Sequence, residues 1–334
     1  MKKNTILFAI AIITLFSCNR NEFIIDVSDI DVDLEIYRFD EQLFTIDPDE
    51  IYYEIPKIQS TYGEFFDIYN IDIIGVGMPE QKEYYENLSE FFYYCDQIGL
   101  YSEIAETFPP NNSTFEAKLA DAFKHYKYYF PDKQIPAIIT CVSGFNLSVF
   151  TGYGFIGISL DKYLGTNYEG YKEMFENYMT RRMHKEMIPV DVMKAWSMAE
   201  FQFNDSINTV MTNSIYEGRI QYFLDAMLPE TADTLKWGYT QIQWGWANKY
   251  EKNIWNYMVS DKVVFSNETM QIKTYTGEAP FTTPFQNNSA PRAGSFIGYK
   301  IVQDYMKNNP DITLKDLMNE RDYMKIYNNS YYKP

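Results

Sequence analysis

Two stretches near the middle of the chain, IPAIITCVSG at 135–144 and GYGFIGISLDKYLG at 152–165, are its best candidates for buried strands. Each is a short apolar run, rich in branched residues and bounded by proline or glycine, as a strand covered on both faces should be. No other segment in the middle of the chain competes with them, so any sheet is small and most of the 334 residues fold otherwise. Closer to the N-terminus, VDLEIYRFD alternates Val32, Leu34 and Ile36 with acidic partners and adds one more strand. The remaining periodicities are helical. The expected class is therefore α+β, mostly helical with a small mixed sheet.

The clearest helix is STFEAKLADAFKHYKYYFPD. Ser113 is its cap, Glu116 completes a capping box, and Phe115, Leu119, Ala122, Phe123 and Tyr126 form its apolar stripe. Residues 48–69 predict a helix disturbed at Pro56, and 79–97 predict another. After Asn167, YEGYKEMFENYMTRRM places Tyr171, Met174, Phe175 and Tyr178 on one buried helical face. SIYEGRIQYFLDAMLP carries helix to Pro229, with Ile220, Phe223, Leu224, Met227 and Leu228 inward and Glu217 on the same face. Further on, Gly294, Gly298, Ile301, Val302 and Tyr305 share one helical face. Two glycines there predict close backbone approach at a helix start, where free N–H groups can also hold an acidic group. Thr313 caps a last helix. No linker, charge block or internal repeat divides residues 31–334, which read as a single domain.

The first residues set the address. MKKNTILFAIAIITLFSCNRNE has a basic start, an apolar core too short to span a bilayer, and a small residue before cysteine. Residues 1–17 are a signal peptide, and Leu15 to Cys18 resemble a bacterial lipobox, which implies acylation of Cys18 and a membrane anchor without a transmembrane helix. Residues 18–30 read as a short tether to the domain. The formal charge of −17, from 29 basic and 46 acidic residues, repels polyanions and argues against nucleic-acid binding. Of the two remaining thiols, Cys141 ends an apolar run and reads most simply as a small buried hydrophobe, although an envelope compartment permits its pairing with Cys95.

A catalytic constellation is hard to assemble. The two histidines, His125 and His184, both lack a following Glu-x-x-His. His125 sits in a lysine-rich helical segment and reads as a surface or boundary residue. His184 projects away from the face defined by Tyr171 and its periodic partners. One histidine with Glu217 leaves a zinc site at least one ligand short. Gly-x-Ser-x-Gly and the lysine-bearing phosphate loop are absent from the sequence. Arg219 lies about 200° around the helix from Glu217. Glu217 therefore reads as a structural carboxylate satisfied by backbone or by an arginine elsewhere. Neither a cofactor nor a catalytic residue is expected.

The lipobox, IYRFDEQLF, GISLDKYLG, YEGRIQYFLDAMLP, YTQIQWGWANKYEKNIWNYM, APFTTPF, SAPRAGSFIGYKIVQDYM and the terminal SYYKP together resemble the gliding-motility lipoprotein GldB family, over essentially the whole chain. The resemblance implies an envelope lipoprotein needed for gliding motility, associated with type IX secretion and with protein partners in that machinery. It also implies a distant likeness to zinc peptidases built on a strand, an H-E-x-x-H helix and a later Glu-Gly helix. Asp161, Glu217 and Gly218 fit that outline, whereas VDVMKAWSMAEF stands where the metal helix should be and holds no histidine. The expectation is a degenerate, zincin-like, non-catalytic assembly or stability factor. Asp161, Glu217, Gly218, Arg292, Gly294 and Gly298 are its candidate fold or pocket residues. An envelope metallopeptidase-like hydrolase and a ligand-binding lipoprotein are the competing classes. Asn19, in place of the aspartate that resembles an inner-membrane retention signal, points towards the outer membrane.

Overall fold

The computed structural model describes residues 22–109, 114–285 and 287–334. The expected signal peptide, the expected acylation site Cys18 and the expected Ser113 cap lie outside the described residues. The strands are β1 (Ile36–Arg38), β2 (Ala137–Cys141), β3 (Val149–Gly152) and β4 (Phe155–Ser159), in the order β1-β2-β4-β3. β1 and β4 run parallel to β2, and β3 closes a hairpin antiparallel to β4 at the sheet edge. The expected strand at 32–40 contracts to three residues.

Alternation along β2 and β4 divides the core in two. Ile138, Ile156 and Ile158 join one apolar cluster, while Ile139, Cys141 and Phe155 join the other. The helices α1 (Ile51–Tyr62) and α2 (Tyr84–Gln97) supply Ile55, Ile58, Tyr84 and Leu88 to the second cluster. Pro56 is accommodated inside α1. α3 (Thr114–Tyr129) buries the expected stripe, from Phe115 to Tyr126, in the first cluster.

The C-terminal half adds α4 (Ile188–Glu200), α5 (Val210–Met227), α6 (Ala293–Asn308) and α7 (Leu314–Asn319). Thr209 caps α5 through a reciprocal bond with Thr212, and Thr313 caps α7 with Asp316 in the same way. α5 is buried around almost its whole circumference, and α6 is its main partner. The class is α+β, mostly helical with a small mixed sheet.

Three local expectations give way. Residues 168–183 do not form a helix: only short helical turns at Glu169–Tyr171 and Asn177–Thr180 appear. Tyr171 is buried, but Met174 is exposed. The Tyr171 hydroxyl donates to Asp161 O at 2.6 Å and accepts from Leu164 N at 3.0 Å, which pins the chain in a turn that a continuous helix would break. His184 consequently sits in extended backbone, bridged to Leu164, with Nδ1 2.8 Å from Glu186. His125 is buried rather than superficial, with Nδ1 3.0 Å from Asp121 O, and shares a cavity with residues 24–28. Those residues, expected in a tether, touch the body: Val27 is buried, and Phe23 sets its ring edge-on to Tyr222 at 5.0 Å. Cys95 and Cys141 are both free and buried.

Candidate functional site

A cleft of about 490 Å³ opens between the start of β3, the turn after β4, residues 178–183 and α4. α4 contributes Asp191, Lys194, Ala195 and Met198, spaced three and four residues apart so that one helical face lines the cavity. Leu147, Ser148 and Val149 line it from the edge strand, and Met179 and Met183 from the irregular segment.

Arg182 ties the polar side together. It donates to Asp191 Oδ1 at 3.1 Å and to Glu278 Oε1 at 2.9 Å. Tyr163 donates to the other oxygen of Asp191 at 3.0 Å. Arg292 approaches Glu278 at 3.4 Å. Burial alone would raise the Glu278 carboxyl, but Arg292, Arg182 and Lys194 hold it at about 2. The same two carboxylates, working against burial, raise Arg182 above its ordinary value.

Among the described residues, Glu217 meets neither the arginine nor the backbone donor expected of it. Its side chain is about one-fifth exposed and pairs with Lys194 at 3.6 Å. Because α5 is buried nearly all round, its apolar periodicity does not distinguish an inward from an outward face there. Arg219 turns away and donates to the carbonyls of Leu317, Met318 and Glu320 at the end of α7.

Asp161 is fully buried behind the cleft and organises the loop between β2 and β3. It accepts from Ser143 N at 2.8 Å, Ser143 Oγ at 3.0 Å and Phe145 N at 2.5 Å. Burial raises its carboxyl, against these bonds. Its neighbour Lys162 donates to Phe145 O at 3.0 Å and lies 4.0 Å above the Phe175 ring.

Gly218, Gly294 and Gly298 form no part of the cleft lining; they form the crossing of α5 and α6. Arg292 begins α6 in left-handed backbone and donates to Trp237 O, which links the helix start to the ion cluster through Glu278. Arg182, Asp191, Lys194 and Glu278 escaped the sequence reading. The 191/194/195/198 spacing on α4 carried a signal for a shared face, whereas Arg182 and Glu278 meet only through tertiary folding.

The cleft supplies cations, paired carboxylates and adaptable methionines. Among the described residues, no three His, Cys, Asp or Glu side chains are grouped to hold a metal ion. The histidines line other cavities. Among the described residues, no helix is long and apolar enough to cross a membrane.

No curated protein and no solved structure matches the chain significantly. The family model described as gliding motility protein GldB, in contrast, matches residues 20–334, nearly the full length. By that match the chain belongs to the gliding motility protein GldB family.

Proposed function

We propose that the protein is a lipid-anchored envelope factor that supports gliding motility and type IX secretion by binding, without catalysis. The observation that carries this reading is the commitment of the carboxylates in the cleft and of Glu217 beside it. Asp191 and Glu278 are bonded to Arg182, and Glu217 is paired with Lys194. A general base needs a carboxylate or imidazole free to take a proton within reach of substrate. Here the acids neutralise neighbouring cations instead.

We read the order of β4, α4 and the Glu217-Gly218 pair on α5 as a degenerate, zincin-like outline. The cleft-facing positions of α4 are Asp191, Lys194, Ala195 and Met198, so a lysine–glutamate pair stands where metal ligation would be needed. On this reading a zincin-like ancestry has lost its metal chemistry. Cys18 is the proposed acylation site, and Asn19 favours the outer membrane, with the body facing the periplasm.

Deletion of the gene in a gliding organism, followed by complementation, tests the reading. Loss of gliding and reduced type IX export are expected, with restoration by the wild type but not by Cys18→Ser. Normal gliding and export in the deletion strain would overturn it.

A further inference from the structure

We propose that the cleft receives an extended peptide as an added strand on the free edge of β3, with the C-terminal carboxylate of that peptide held by Lys194. The proposal deepens, and rests on, the reading of the cleft as a binding site.

The register of the hairpin provides the strand template. Ser159 N donates to Ser148 O at 2.9 Å, and the pairing continues as Val149 with Ile158, Phe150 with Gly157 and Thr151 with Ile156. Bonded and non-bonded pairs alternate in an antiparallel ladder. The backbone groups of Val149 and Thr151 therefore point away from β4. β3 is an edge strand, with no further strand beside it among the described residues. Its first residue, Val149, lines the cleft together with Leu147 and Ser148, which lead into the strand. An unpaired edge bordering a cavity is the arrangement used when extended peptides add to a sheet.

Charge defines the occupant. Three cations, Lys162, Arg182 and Lys194, line the cleft against two carboxylates, Asp191 and Glu278, in a chain whose overall charge is −17. Arg182 is occupied by both carboxylates, and Lys162 is directed to Phe145 O. Lys194 is different: among the described residues its ammonium makes no hydrogen bond, its ion pair with Glu217 is long at 3.6 Å, and Glu278 feels its charge without direct contact. An ammonium with three donors and partial burial is suited to an incoming carboxylate. Met179 and Met198, each 40% exposed, flank the same cavity and can repack around varied side chains. Backbone pairing would supply affinity without sequence, and Lys194 would select the carboxylate.

The test uses the full-length protein, immobilised from detergent micelles, and a random octapeptide pool lacking Asp and Glu. The pool is applied with free C termini and, separately, as C-terminal amides, and retained and unretained peptides are read by mass spectrometry. Free-carboxylate peptides should be retained at least about tenfold more than amides, the effect of removing one charged hydrogen-bond partner. Lys194→Gln should abolish that preference and Lys194→Arg should keep it. Alternate backbone N-methylation of the retained peptides should abolish binding. Equal retention of acids and amides, or no retention of intact peptides, would overturn the proposal; the amide comparison needs no variant and is unaffected by misfolding. Shortened peptides would instead overturn the non-catalytic reading.

Discussion

Gly218 on α5 and Gly298 on α6 lie against each other's backbone. A Cβ on Gly218 would stand 2.4 Å from the Gly298 carbonyl carbon, and one on Gly298 would stand 1.8 Å from Ser214 O. Gly294, one turn earlier, faces Tyr275 and Ser214 Oγ at 2.9 and 3.0 Å. The two longest helices of the C-terminal half can meet this closely because neither glycine carries a side chain at the crossing. Both Gly218→Ala and Gly298→Ala should therefore destabilise the fold by about 1–3 kcal/mol, the cost of overpacking, and Gly298→Leu by more. Thermal unfolding measures this. An unchanged melting temperature in Gly298→Ala would show that the crossing is looser than described.

Glu278 should give the ion cluster a pH dependence. Its carboxyl is held at about 2 in the fold, against an ordinary value of about 4.3 in an unfolded chain. The folded pKa is depressed, so its stabilising effect is complete above the unfolded value and is lost as pH falls towards the folded one. Glu278 is half-exposed, which limits the gain to about 1 kcal/mol. Wild type should exceed Glu278→Gln in stability by about that amount at pH 6, with the gap closing below pH ~4. Denaturant unfolding of both chains at several pH values checks the sign; a gap that widens on acidification would contradict it.

The two buried thiols should be present and inert in the folded protein. Cys95 belongs to one apolar cluster and Cys141 to the other. Burial pushes Cys95 up to about 12 and Cys141 well above its ordinary value, so neither forms the reactive thiolate at neutral pH. In a Cys18→Ser chain, a thiol reagent should label no cysteine under native conditions and both in denaturant. Labelling of neither in denaturant would reveal a disulfide.

The sequence made legible those features that depend on local periodicity. The stripe of α3, the buried runs of β2 and β4, and the glycine face of α6 all follow from spacing along one element. Tyr171, Met174, Phe175 and Tyr178 show the limit. Their spacing is helical, yet a distant hydrogen bond from Tyr171 to Asp161 O holds that segment in turns. His125 was equally obscure, because residues 24–28, far away in sequence, share its cavity. The cleft combines five separate parts of the chain, so its two arginine-bound carboxylates, Asp191 and Glu278, share no local signal. Glu217 was visible as a carboxylate among apolar neighbours, but its partner, Lys194, is on another helix.

We propose that the cleft acts without proton transfer or metal ligation. Complementation of a deletion strain with a chain carrying Asp191→Asn, Glu217→Gln and His184→Gln together tests this. These changes remove the charge of Asp191 in the cleft and of Glu217 beside it while keeping the shape of both side chains, and they replace the more accessible histidine by a neutral amide. Protein level, membrane localisation and melting temperature are recorded beside gliding and export. The triple variant should restore gliding and type IX export to near the wild-type level. Loss of both activities in a variant that is folded, anchored and normally abundant would contradict the account and return the cleft to catalysis.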